Sequence, residues 1–215
     1  MQSKINYQLE TDRLLKALPT DRVPVLFLHA CCAPCSSYVL EYLSQYFAIT
    51  LFFYNPNIAP EEEYLHRKAE LKRLVQTMPL SHPVTILDGD YAPERFYALA
   101  KGLEQEPERG ARCQKCIGHR LEETFRAAAA LEVLPDFVCT TLTISPHKDA
   151  VWINTRGAEL AEQYGIPWLY TDFKKKGGYQ RSIALSREYD LYRQNFCGCV
   201  YSRLEAERRE QQHNS

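Results

Sequence analysis

Val23-Pro24-Val25-Leu26-Phe27-Leu28-His29-Ala30-Cys31-Cys32-Ala33-Pro34-Cys35-Ser36-Ser37 decides how the rest of the chain is read. The run from Val23 to Ala30 is almost wholly apolar and short, which predicts a buried strand. It breaks directly into three cysteines. Tyr38 to Tyr46 then carries helical apolar spacing, with Ser36 or Ser37 as the expected N-cap. A buried strand, a turn loaded with reactive side chains and a helix form the opening unit of a parallel α/β sheet.

The same alternation continues outward. Ala48 to Tyr54 predicts a second strand and Glu61 to Met78 an amphipathic helix, opened by Pro60 and three glutamates that suit its positive end. Val84 to Leu87 predicts a third strand, and Pro93 to Lys101 a helix. The polar stretch from Glu104 to Arg112 reads as a loop, followed by Cys113-x-x-Cys116 and a helix from about Ile117 to Leu131. Phe137 to Ile144 predicts a fourth strand. Ser145 is the expected N-cap of the next helix, with Pro146 at its first position. Ile166 to Tyr170 predicts a fifth strand, and Tyr179 to Arg193 the last long helix. The expectation is therefore a doubly wound, mainly parallel, five-stranded α/β sheet. No internal repeat or linker interrupts it, so one domain over residues 1–215 is expected, with 1–20 an extension and 203–215 a charged tail.

The cysteines restrict the chemistry. Of eight, seven fall in three clusters: Cys31-Cys32-x-x-Cys35, Cys113-x-x-Cys116 and Cys197-x-Cys199. The N-terminus shows no apolar run of the signal-peptide kind, and no stretch approaches the ~20 apolar residues of a membrane span. A cytoplasmic location without membrane contact is the expectation, and in a reducing compartment clustered cysteines read as metal ligands or redox thiols. A closed zinc site needs four ligands. Seven thiols fit an iron–sulfur centre with a further metal, or a redox dithiol. Cys139, alone in Phe137-Val138-Cys139-Thr140, reads as a buried small hydrophobe.

In doubly wound sheets ligands bind at the strand carboxyl ends. That rim collects Cys31, Cys32 and Cys35, then Asn55 and Asn57, Asp88 and Asp90, Thr140, Thr141, Ser145 and Lys148, and finally Asp172 and Lys174. His29 ends a buried strand and reads as a satisfied core histidine or a partner of the ligands. With 26 basic and 27 acidic residues the net charge is −1, so no global field draws in a polyanion. Lys174-Lys175-Lys176-Gly177-Gly178-Tyr179-Gln180-Arg181 is the one local basic run, and a solvated loop is its plainer reading.

Five ordered motifs carry a resemblance. His29-Ala30-Cys31-Cys32-Ala33-Pro34-Cys35-Ser36 resembles the opening motif of the QueH-type epoxyqueuosine reductases. Tyr54-Asn55-Pro56-Asn57-Ile58, Arg112-Cys113-x-x-Cys116, Thr140-Thr141-Leu142 with Ser145-Pro146-His147-Lys148, and Tyr192-Arg193-Gln194-x-Phe196-Cys197-Gly198-Cys199 resemble its later motifs in order. The similarity runs from about His29 to Ser202. It departs where the family usually carries Asp-Phe-Arg and this chain has Asp172-Phe173-Lys174, and where some relatives carry an acid in place of Cys35.

The resemblance implies reduction of epoxyqueuosine to queuosine at the tRNA wobble position, without cobalamin, on a nucleotide-binding α/β fold related to the ATP-pyrophosphatase tRNA-modifying enzymes. It implies a [4Fe–4S] cluster beside a mononuclear iron, which suits an epoxide that needs two electrons, two protons and an electrophile on its oxygen. Cys32, Cys113, Cys116 and Cys199 are expected on the cluster, and Cys31, Cys35 and Cys197 on the second iron. Cys31, Cys35, Asp90 and Asp172 are the expected catalytic groups, the two aspartates as proton donors. Lys148, Lys174, Arg181 and Arg193 are expected to meet tRNA phosphates, and Tyr54, Tyr91 or Tyr179 to stack on a base. An electron donor such as ferredoxin or flavodoxin is the second expected partner. Two other readings compete. An ATP-dependent tRNA thiolase would need a Ser-Gly-Gly-x-Asp-Ser phosphate cradle where this chain has cysteines. A zinc-stabilised RNA-binding module would leave thiols in surplus.

Overall fold

Four strands pair in the order β3-β2-β1-β4, all parallel. They are β1 (Val25–His29), β2 (Ala48–Phe53), β3 (Val84–Asp88) and β4 (Phe137–Thr140). The computed structural model describes residues 5–213, so Met1–Lys4 of the expected extension and the last two residues of the tail lie outside it. Eight α-helices occur among the described residues: α1 (Tyr7–Lys16), α2 (Ala33–Leu43), α3 (Glu61–Thr77), α4 (Pro93–Ala100), α5 (Ala111–Ala129), α6 (Ala150–Tyr164), α7 (Gly178–Glu188) and α8 (Val200–His213). None of them is long and apolar enough to cross a membrane.

β1 sits inside the sheet, and its alternation feeds two cores. Leu26 and Leu28 pack with Val39, Leu40, Leu71 and Leu74 of α2 and α3 on one face. Phe27 packs with Leu121 and Phe125 of α5 and Ile153 and Leu160 of α6 on the other. β1, β2 and β4 are largely buried, which is why their sequences read as continuous apolar runs, whereas β3 at the sheet edge stays partly exposed. After β3 the chain returns past β1 to place β4 on its far side. Strand order thus reverses between β1 and β4, and their carboxyl ends flank the crevice where such sheets bind ligands.

The fifth strand does not form. Ile166 to Tyr170 runs beside β4, but only as an isolated parallel bridge from Val138 to Trp168. Two hydrogen bonds remain, Val138 N to the Pro167 carbonyl at 2.8 Å and Leu169 N to the Val138 carbonyl at 2.9 Å. Pro167 has no N–H to give, and the Thr171 N–H is taken by Asn154 Oδ1 at 3.1 Å.

Helix starts also move. Ser36 and Ser37 are inside α2, their hydroxyls donating back to the carbonyls of Cys32 (2.8 Å) and Pro34 (3.0 Å), and Cys32 is the N-cap residue. Ser145 closes a short 3-10 turn at Thr141–Ile144, the shortened end of the expected fourth strand, while Asp149 caps α6 through Val151 N and Trp152 N. Cys113 and Cys116 lie in the first turns of α5, not ahead of it. Part of the expected extension packs beside the Tyr170 segment. Tyr7 stacks on Tyr170 at 6.0 Å, and Thr11 Oγ1 donates to the Tyr170 carbonyl at 2.7 Å.

Candidate metal centre

The Cys31–Cys35 turn follows β1 directly, and α2 begins inside it. Cys31, Cys32 and Cys35 bring their sulfurs within 4.8 Å of one another, with Cys31 and Cys32 Sγ 3.8 Å apart. Cys32 is buried, and the other two are half-buried. Thr141, from the turn after β4, bonds to this group: its Oγ1 lies 3.6 Å from Cys31 Sγ and accepts from Cys31 N at 3.4 Å. Hydrogen bonds from Cys32 and Cys35 hold the Cys31 thiol well below its ordinary value, against burial and with help from Lys148 and Thr141. The same bonds push Cys32 up to about 12 and Cys35 well above the usual thiol range. Cys31 is thus the most readily ionised of the three thiols.

The other four clustered cysteines face a neighbouring cleft. Cys113 and Cys116 reach it from α5, Cys197 and Cys199 from the segment before α8. Burial raises the Cys113 and Cys199 thiols and takes Cys116 to about 12. Ser202 fixes Cys199, its N–H donating to Sγ at 3.4 Å and its hydroxyl donating to the Cys199 carbonyl at 2.9 Å. The cleft beside Cys31, Cys32 and Cys35 shares Cys197, Arg120 and Lys148 with this one. All seven clustered cysteines therefore converge, three on one side and three on the other, with Cys197 between them. The expected assignment put Cys32 with Cys113, Cys116 and Cys199, whereas its sulfur sits with Cys31 and Cys35. Cys139 stays apart, wholly buried, with its thiol pushed to about 12 by burial.

Of the expected RNA contacts, Lys148 and Arg193 line the cleft beside the Cys31 group. Lys174 is ion-paired with Asp172 at 2.8 Å, Lys176 with Asp12 at 2.7 Å and Arg181 with Glu41, so the basic run is largely neutralised within the chain. Asp90 and Asp172 line neither cleft. Tyr54 is buried, its hydroxyl 2.9 Å from His119 Nε2, and Tyr91 donates to the Ile58 carbonyl. Tyr179 alone of the three tyrosines lines a cysteine cleft. His29 is a satisfied core histidine, Nδ1 2.9 Å from Thr140 Oγ1 and Nε2 3.1 Å from the Tyr54 carbonyl, with burial and then Arg120 lowering its pKa to about 3.

Sequence reading missed two arginines. Arg67 and Arg120, each 2% exposed, both line the first cleft. Their signals were present only as helical spacing: Arg67 four residues after Glu63, and Arg120 four after Cys116. Arg112, also 2% exposed, is held by the carbonyls of Leu103, Glu104 and Glu106 and lies over the Tyr201 ring at 4.6 Å.

An α/β sheet with cysteines gathered at its ligand-binding edge defines a class of metal- or thiol-dependent enzyme. The family model described as epoxyqueuosine reductase QueH matches residues 26–205. Proteins of that name are similar over nearly the whole chain. The one from Streptococcus pyogenes is 42% identical over 93% of this chain and 78% of its own length. That from Staphylococcus epidermidis is 40% identical over 94% and 86%, and that from Thermotoga maritima 35% identical over 84% and 91%. A solved structure of TcCGT1 with UDP superposes on 68% of this chain and 28% of its own at a TM-score of 0.40 and 14% identity, a likeness too slight to define the fold. The chain belongs to the QueH family of epoxyqueuosine reductases.

Proposed function

We propose that this protein reduces epoxyqueuosine in the anticodon of tRNA to queuosine, as an iron-dependent oxidoreductase. The reaction takes up two electrons and two protons, breaks both C–O bonds of the epoxide, leaves a carbon–carbon double bond and releases water. The observation that carries the reading is the convergence of seven cysteines on two clefts that share Cys197, beside the crevice between β1 and β4. We assign the sheet to the nucleotide-binding type of the ATP-pyrophosphatase tRNA-modifying enzymes, on its strand order and reversal point.

The donor set fits iron. Cys113, Cys116, Cys197 and Cys199 match the four thiolates of a [4Fe–4S] cluster. Cys31, Cys32 and Cys35 offer a three-thiol set, one ligand short of a closed site. When bound, such a centre supplies electrons one at a time and an electrophile for the epoxide oxygen. The chain's own residues position the substrate. Arg193, exposed at the cleft, meets RNA phosphate, and Tyr179 offers a face for an unstacked base. Thr141 orients Cys31. A ferredoxin- or flavodoxin-like protein is the proposed electron source.

Purification without oxygen, followed by iron and sulfide analysis and an assay on tRNA carrying epoxyqueuosine, tests this. About five irons and four sulfides per chain, with conversion to queuosine, is the expected result. One zinc without sulfide, and no conversion, would overturn it.

A further inference from the structure

Arg120 is a buried charge without a carboxylate. It lies one turn beyond Cys116 on α5, is 2% exposed and lines both cysteine clefts. Nη1 donates to a neutral acceptor, Asn55 Oδ1, at 3.2 Å, and Nε finds no partner among the described residues. Lys148 lines the same two clefts, half-buried, and its ammonium makes no ion pair or hydrogen bond among the described residues. Two carboxylates border these clefts. Glu108 pairs with neither cation, and Asp149 is engaged in capping α6.

The contrast with the other two buried arginines is direct. Arg67 holds Glu63 at 2.6 Å, and Arg112 holds three carbonyls and Glu205. Those two are structural. A buried guanidinium with no negative partner is costly, by several kcal/mol per ion. Facing Arg120 and Lys148 are the clustered cysteines, and neutral thiols would leave both cations uncompensated. Burial works against the Arg120 charge, while Cys116, Cys197 and Cys31 work for it and prevail. Thiolates bound to iron would supply the missing negative charge.

We infer that Arg120, together with Lys148, is the fixed counter-charge of the iron centre and sets its reduction potential. The inference rests on the iron reading above. Both are positioning residues: they act on the centre and need not touch the nucleotide. Reduction adds one negative charge to the centre. Two fixed cations beside it favour the reduced state and raise the potential, the more so because the site is buried.

The experiment begins with iron and sulfide analysis of the parent, purified without oxygen. A parent without iron removes the iron reading itself, a failure distinct from those that follow. Arg120→Met, Arg120→Lys and Lys148→Gln are then compared by EPR-monitored redox titration. Arg120→Met and Lys148→Gln should each shift the midpoint to more negative potential, and Arg120→Lys should stay close to the parent. An Arg120→Met protein that is folded by circular dichroism but holds no iron also supports the inference. Midpoints unchanged in Arg120→Met and Lys148→Gln would overturn it. So would an Arg120→Met chain that fails to fold both with and without iron, since the arginine would then be a structural residue.

Discussion

Arg67 of α3 donates from Nη1 to the Cys197 carbonyl at 3.0 Å, tying a helix on one face of the sheet to the cysteine between the two clefts. Its Nε holds Glu63 at 2.6 Å and its guanidinium lies 4.9 Å from the centre of the Phe196 ring. Replacing it by Met leaves the Cys197 carbonyl without this donor and the Glu63 carboxylate with the Tyr192 hydroxyl alone. Breaking such a buried pair costs about 3–5 kcal/mol. Arg67→Met should therefore lower the denaturant midpoint and the iron content together. Full iron loading in a protein so destabilised would show that the Cys197 segment is held by other contacts.

Gly198 is the hinge of the same segment. Its φ is +128°, and an added Cβ would lie 2.9 Å from Ile58 Cγ1 and 3.1 Å from Arg67 Nη1. Alanine there meets both a disfavoured backbone and a crowded site, at a cost of about 1–3 kcal/mol. Because Cys197 and Cys199 flank it, Gly198→Ala should lose iron more readily than stability. The check is iron per chain set against the thermal midpoint. A variant that keeps its iron and unfolds early would contradict the coupling.

What the sequence made legible was periodic or clustered. The strand–turn–helix units, the cysteine pairs and the rim at the strand ends all follow from spacing read along the chain. What stayed hidden depends on partners distant in sequence. The fifth strand fails because Pro167 lacks a donor and Asn154, on another element, takes the Thr171 N–H. Ser36 and Ser145 look like caps, but Ser36 lies inside α2, and Ser145 closes the 3-10 turn four residues ahead of the α6 cap Asp149. Lys174, Lys176 and Arg181 look like an RNA patch until Asp172, Asp12 and Glu41 come beside them. Arg120 offered only its helical spacing from Cys116, since its meaning depends on cysteines from three separate segments.

Acid should weaken the fold through the turn that enters β1. Arg22 holds Asp136 through two hydrogen bonds, one at 2.8 Å, and Val25 N donates to the same carboxylate at 2.8 Å. The Arg22 bonds, with that of Val25, hold the Asp136 carboxyl below its ordinary range despite partial burial. A carboxyl depressed in the folded state contributes stability that is present above its unfolded value of about 3.9 and is lost as pH falls through the lower folded value. Asp136→Asn should therefore be less stable than the parent near neutrality, and the gap should close below about pH 4. Thermal midpoints measured from pH 7 down to pH 3 would show it. A gap that stays constant over that range would assign the loss to packing.

Gly157 tests whether the far side of β4 is independent of the metal site. An added Cβ at this position of α6 would fall 2.3 Å from Trp168 Cε2, well inside contact distance. Trp168 has little room to yield, because its Nε1 donates to Asn154 Oδ1 at 3.0 Å and its ring packs 6.0 Å from Phe125. Overpacking of this kind costs about 1–3 kcal/mol. Gly157→Ala should lower the denaturant midpoint by that amount, because the α6–Trp168 layer must shift off β4. None of the seven clustered cysteines belongs to that layer, so iron and sulfide per chain should match the parent. Loss of iron in Gly157→Ala, at a temperature where the protein remains folded, would mean that the edge of the sheet and the cysteine clefts are coupled through β4.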